Sequence, residues 1–138
     1  MTQESDSNKR TAAHVANYII FLAEKNKIDN LTPLKLIKLC YISYAWYLSL
    51  KNKQLFSERP QAWQYGPVFP TLYAEFKDFG RNPITKYIIY PPMDDKWEET
   101  RKEAPMLVGT SEDEKYESGL VETIFDFYKH KTGADLVK

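Results

Sequence analysis

The stretch LTPLKLIKLCYISYAWYLSL, residues 31–50, decides the fold of this 138-residue chain. Thr32 can cap the free amides of a helix with its hydroxyl, and Pro33 suits the first helical position, where a missing N–H costs nothing. The helix that follows is apolar almost all round, apart from a narrow polar strip that includes Lys35 and Lys38. Such a helix is enclosed by other elements or offers one face to a partner. The stretch therefore predicts a buried central helix.

Patterns on both sides of this stretch predict further helices. Apolar residues recur at three- and four-residue spacing from Thr11 onward, as in an amphipathic helix. Ser111 and Glu114 form the pattern of a capping box, in which each residue satisfies the other's end of a new helix. That helix should stop near Gly133, and residues 134–138 resemble the opening of another.

The segment AWQYGPVFPTLY, residues 62–73, forms an aromatic turn followed by a helix start. Gly66 and Pro67 interrupt regular structure, since proline disfavours helical geometry in the residue before it. A helix should then run to Gly80, a helix-ending glycine. Four apolar residues in this region are predicted to belong to the core: Trp63, Val68, Leu72 and Phe76.

Residues 85–90 are β-branched and aromatic and are followed by two prolines, which predicts a short strand. Residues 106–108 are a candidate partner for it. The predicted fold class is mainly α: a compact helical domain around a buried central helix, with a small β-hairpin or short strands. Residues 1–10 are polar and are predicted to form a disordered arm, with one domain over residues 11–138.

Composition narrows the classes of function. Lys plus Arg and Asp plus Glu number 19 each, so the cationic excess of a general nucleic-acid binder is missing. The polar N-terminus lacks the apolar core of a signal peptide, and no apolar run reaches the roughly 20 residues that cross a bilayer. We expect a cytoplasmic protein without membrane contacts. The sequence leaves homo-oligomerisation open.

Few side chains suggest catalysis. His14 and His130 are the only histidines, each on a predicted helix, and Cys40 lies within the apolar helix. A buried thiol is unreactive, and one cysteine with two histidines lacks the spacing of a zinc site. No phosphate-binding glycine loop or nucleophile elbow is present. The sequence predicts no catalytic residues, no metal and no cofactor, although carboxylates or His130 in a cleft stay open as an enzymatic alternative.

Three segments together resemble the Panacea domain, the family of SocA-like antitoxins and phage-associated GepA-type proteins. They are VANYIIFLAEKN (15–26), LTPLKLIKLCYISYAWYLSLKNKQLF (31–56) and AWQYGPVFPTLYAEFKDFG (62–80). The resemblance weakens over residues 85–110 and resumes around residues 112–131. Family members typically continue into a Thr-His and a Pro-Trp element that is absent here, so the chain is truncated relative to them or its final helix has diverged.

The resemblance implies a protein that neutralises a cognate toxin by direct binding, with no chemical step; the SocA branch also presents its toxin to a protease. Binding hot spots favour Tyr, Trp and Arg around a desolvated centre. Our candidate partner-binding residues are Tyr65 and Tyr73, which flank the Gly-Pro turn, together with Lys35 and Lys38 on the polar strip. The alternative is a DNA-binding regulator of a phage or mobile element, suggested by the first helix pair.

Overall fold

The computed structural model describes residues 10–64, 66–89, 104–107 and 109–137. Its helices are α1 (Ala12–Lys25), α2 (Pro33–Lys51), α3 (Pro70–Phe76), α4 (Glu112–Tyr128) and α5 (Gly133–Val137), with a 3₁₀ turn at Lys77–Phe79 after α3. Two antiparallel strands, β1 (Gln61–Trp63) and β2 (Gly66–Val68), form a hairpin between α2 and α3. The mainly helical fold class is confirmed.

Helix α2 is the centre of the fold. It packs against α1, α3, α4, α5 and β2, and its middle residues Leu36, Leu39 and Cys40 are fully buried. The hydroxyl of Thr32 accepts a hydrogen bond from the backbone N–H of Lys35, with Pro33 at the first helical position. Both the buried central helix and its cap are predicted from the sequence and are confirmed.

The side chain of Asn17 joins α1 to two distant stretches of chain. Its amide nitrogen donates to the backbone oxygens of Ile88, at 3.0 Å, and Pro105, at 2.8 Å. Its amide oxygen accepts from the N–H of Ile88 at 2.9 Å. Asn17 is completely buried, and this clamp holds both stretches against α1.

The prediction of a strand at residues 85–90 is wrong for residues 85–89, which the structure describes and which do not form a strand. The backbone of Ile88 bonds to Asn17 instead of to a second strand. The hairpin of this fold lies at residues 61–68. Tyr90 and Val108, the ends of the two predicted strands, lie outside the described residues.

Arg10 fastens the beginning of the described chain to α4. Its Nε donates to a carboxylate oxygen of Glu117 at 3.0 Å, and its guanidinium lies 3.6 Å from Glu114. Arg10, the last residue of the predicted arm, is therefore held against α4. The rest of that arm, residues 1–9, lies outside the described residues.

The predicted capping box begins α4: the N–H of Glu114 donates to the Ser111 hydroxyl, and the Glu114 carboxylate accepts from the Ser111 N–H. Beyond α4, α5 lies against the first turn of α2. Gly133 approaches so closely that an added Cβ would lie 2.9 Å from the backbone nitrogen of Lys35 and 3.0 Å from Cγ of Leu34. The glycine thus permits the contact between α5 and α2.

The hairpin rests on a buried aromatic cluster formed by Tyr44, Phe56 and Phe69, whose ring centroids lie 5.0–5.6 Å apart. The hairpin packs on α2 through β2, and β1 is exposed along its length. Three of the four predicted core residues are confirmed as buried: Val68, Leu72 and Phe76. The prediction for Trp63 is wrong, because this residue lies on β1 and is 40% exposed.

Candidate partner-binding site

A groove of about 520 Å³ opens between the start of α2, the hairpin and α3. We call it the groove throughout; its described lining residues are Pro33, Leu34, Ile37, Lys38, Trp63, Gln64, Val68, Tyr73, Lys77, Gly80 and Arg81. Its volume lies within the usual range of roughly 300–1,000 Å³ for ligand sites. The groove brings together two of the predicted binding residues, Lys38 and Tyr73.

Lys38 lines the groove although only 3% of its surface is exposed. Its ammonium donates to the backbone oxygen of Pro67 at 2.8 Å. It has no other hydrogen bond and no ion pair with a described residue. Burial lowers the pKa of this ammonium, because desolvation disfavours the charged form.

The conformation of Gly66 makes room for this ammonium. Gly66 has a φ of +106°, a region that other residues rarely adopt. A Cβ atom at this position would lie 2.9 Å from Nζ of Lys38. The backbone of the turn therefore favours glycine, and a side chain at this position would displace the ammonium from its place.

Lys35 is buried elsewhere and does not line the groove. Its ammonium donates to the side-chain oxygen of Asn30 at 2.7 Å and to the backbone oxygen of Lys129 at the end of α4. A cation is favourable there, because the carbonyls at a helix C-terminus carry partial negative charge. Burial lowers the pKa of Lys35 as well.

Lys35 and Lys38, which lie on the predicted polar strip of α2, are both buried. Both ammonium groups point into the fold, where they bond to backbone oxygens of the end of α4 and of β2, respectively. Lys35 is inaccessible, whereas Lys38 can be reached only through the groove. These two lysines of α2 are therefore tertiary anchor points and not part of a solvated face.

Trp63 and Tyr73 form one wall of the groove. Their rings meet edge to face with centroids 5.2 Å apart, a favoured geometry for aromatic pairs. They are 40% and 43% exposed. Leu34, also exposed, lines the groove from α2. Large apolar side chains thus remain available for contact. Tyr65, the other tyrosine that we predicted to bind a partner, lies outside the described residues.

Lys77 and Arg81 add exposed positive charge to the groove. Neither side chain forms an ion pair with a described residue. None of the described lining residues is acidic. The groove is therefore a local positive site on a chain whose overall charge is balanced.

The sequence analysis missed Leu34, Trp63, Lys77 and Arg81 as lining residues. For Leu34 a signal was present, since a helix that is apolar almost all round is either enclosed by other elements or offers one face to a partner. The other three are brought to the groove by tertiary packing. A second exposed apolar area lies near the end of α2, at Trp46, Leu48 and Leu50.

Two of the side chains that we considered for chemistry, Cys40 and His14, have structural roles. Cys40 is fully buried, and burial raises the pKa of its thiol. The Nδ1 atom of His14 accepts a hydrogen bond from the N–H of Thr11 at 3.1 Å. Among the described residues, no group of three or more His, Cys, Asp or Glu is placed to hold a metal ion. No helix in the described ranges has both the length and the apolar character needed to cross a membrane.

Comparison with known families identifies a match over most of the chain. The sequence model of the family described as antitoxin SocA-like, Panacea domain, matches residues 36–138. Neither the curated proteins nor the solved structures give a match. The family match covers most of the chain, including α3, α4, α5, the hairpin and nearly all of α2. The chain therefore belongs to the SocA-like antitoxin family with a Panacea domain.

Proposed function

We propose that this protein is a cytoplasmic antitoxin that neutralises a cognate toxin by direct protein–protein binding, and that the groove is part of the contact surface. The proposal rests mainly on the exposed pair of Trp63 and Tyr73 beside the buried ammonium of Lys38. Aromatic side chains around a desolvated polar group are typical of binding hot spots. Membership of an antitoxin family supports a toxin as the partner.

We propose that neutralisation involves no chemical step by this chain. The buried thiol of Cys40 and the capping role of His14 leave neither group arranged as a nucleophile or a base. The groove offers one buried ammonium, two exposed cations and apolar walls, which suit binding. Such a complex could mask the toxin or present it to a protease, and the lifetime of the toxin distinguishes the two.

Co-expression with the product of the adjacent gene tests the proposal. That product should arrest growth alone, co-expression should relieve the arrest, and the two proteins should copurify. An unchanged toxin lifetime in the complex would indicate masking, and a shortened one delivery to a protease. A neighbour that is harmless alone, or that does not copurify, would contradict the proposed function.

The double variant Trp63→Ala/Tyr73→Ala tests the groove as the contact surface. Both side chains are exposed, so the variant should keep its fold and lose neutralisation. Phe127→Ala is the matched control, since Phe127 is 72% exposed on α4 and does not line the groove. Full neutralisation by the double variant, with its melting temperature unchanged, would place the toxin contact elsewhere.

A further inference from the structure

Lys38 and Lys35 are buried on the same helix but have different electrostatic environments. Lys35 has two acceptors, one of them a backbone oxygen at the end of α4, where the helix dipole favours a cation. Among the described residues, Lys38 donates only to the backbone oxygen of Pro67, which lies on β2. An ammonium has three donors, so two remain for another group.

The groove is the route by which such a group can reach Lys38. The ammonium lies beneath Gly66, and glycine has no side chain to cover it. A buried cation without an opposite charge is costly, and a carboxylate offsets that cost well because its hydrogen bond to an ammonium is charge-assisted. The free protein thus presents a desolvated cation to an incoming anion.

The residues around Lys38 in the groove favour a ligand with an apolar part beside its anionic group. Leu34, Trp63 and Tyr73 provide exposed apolar surface, which favours an apolar side chain next to the anionic group. Lys77 and Arg81 add exposed positive charge that attracts an acidic segment before contact. Nucleic-acid phosphates are held by exposed cations along a backbone track, whereas Lys38 is almost completely buried.

We propose that the groove binds a segment of the partner protein in which an Asp or Glu lies beside an apolar or aromatic residue. The carboxylate bonds to the ammonium of Lys38, and the apolar side chain packs on Leu34, Trp63 and Tyr73. The partner's identity as a toxin rests on the proposed function, but the recognition chemistry rests on the groove alone.

Selection from a phage-displayed library of random linear peptides tests this recognition without a toxin. Enriched peptides should carry an acidic residue next to an apolar one. Their affinity should fall by about tenfold or more, equivalent to about 1.4 kcal/mol, when the acid is replaced by its amide. Enrichment of peptides without acidic residues, or equal binding of the amide forms, would overturn the proposal.

Variants locate the binding. Lys38→Met should weaken peptide binding about tenfold or more, whereas Lys86→Met, the same change at an exposed lysine outside the groove, should not. The double variant Lys77→Met/Arg81→Met should slow the association of the peptide and reduce the salt dependence of its association rate. It alters only exposed side chains, so it keeps the proposal testable if Lys38→Met fails to fold. Unchanged binding in Lys77→Met/Arg81→Met would overturn the proposal, as would unchanged binding in a folded Lys38→Met protein.

If the groove binds a second copy of this chain or a nucleic acid instead, the experiments will give different results. Self-association in sedimentation experiments that is abolished by Lys38→Met would make the groove an interface between copies. Oligonucleotide binding that is abolished by Lys77→Met/Arg81→Met would make it a nucleic-acid site. Either result overturns recognition of a partner's acidic segment. If peptides bind as expected but the adjacent gene product is not neutralised, only the proposed function fails.

Discussion

Gly66 lies so close to Lys38 that a Cβ atom on the glycine would stand 2.9 Å from the lysine Nζ. A side chain at residue 66 would therefore displace the buried ammonium. With a φ of +106° at Gly66, any side chain here meets both an unfavourable backbone and a charged neighbour.

Gly66→Ala should accordingly destabilise the protein by about 1–3 kcal/mol, and Gly66→Val by more. Urea unfolding measures the change. Gly119→Ala in α4 is the matched control, because a Cβ added to this helical residue would have no atom within 4 Å outside its own helix backbone and chain neighbours. That variant should stabilise by up to about 1 kcal/mol. Equal effects of the two alanine substitutions would refute this account of Gly66.

Lys35→Met and Lys38→Met should differ in stability. Lys35→Met loses two hydrogen bonds, one at the end of α4, and should cost about 1–3 kcal/mol. Lys38→Met loses one bond but also removes a buried cation without an ionic partner among the described residues. It should therefore remain within about 1 kcal/mol of the wild type. Chemical denaturation of both variants makes the comparison, and a larger loss for Lys38→Met would contradict it.

Asn17→Ala should cost about 2–4 kcal/mol, because it removes three hydrogen bonds from a fully buried site. Hydrogen exchange offers a local readout: the amide of Ile88 should lose its protection before the amides of α2 do. Asn26→Ala is a useful control, since the Asn26 side chain bonds to the backbone of its own helix end. If the Ile88 amide stays protected in Asn17→Ala, the clamp does not hold this stretch.

His14 should make stability depend on pH. Burial is the main cause that lowers its pKa below 6.5, and the neighbouring charge of Arg10 adds to the effect. The unfolded chain then takes up a proton before the folded protein does, so stability should fall as the pH drops below 6.5. Protonation would also remove the Nδ1 lone pair that accepts from Thr11.

His14→Gln should flatten this pH dependence, because Gln at the third helical position completes a capping box without titrating. Thermal unfolding of both proteins over a series of buffers gives the comparison. His130→Gln, at an exposed position after α4, is the control. The same loss of slope in both variants would show that His14 is not responsible.

Features determined by neighbouring residues were predictable from the sequence. Thr32 and Pro33 begin α2, and Ser111 with Glu114 begins α4, because each cap uses groups within a few positions. The family resemblance was also visible in the order of local motifs, and the family match confirms it.

Features determined by residues far apart in the chain were not predictable from the sequence. The stretch around Ile88 has strand-forming residues, but Asn17, 71 positions away, takes its hydrogen bonds. Lys35 and Lys38 occupy polar positions on the helical pattern, yet their ammonium groups point inward and bond to the backbone oxygens of Lys129 and Pro67. Of the candidate site, the sequence identified Tyr73 and Lys38 but could not show that one groove contains both.

The close approach of Gly133 to Leu34 makes the groove sensitive to a helix that does not line it. Helix α5 packs against the first turn of α2, so removing residues 133–137 should let Leu34 move away from Trp63 and Tyr73. A larger side chain at residue 133 should disturb the groove in the same way, without lining it.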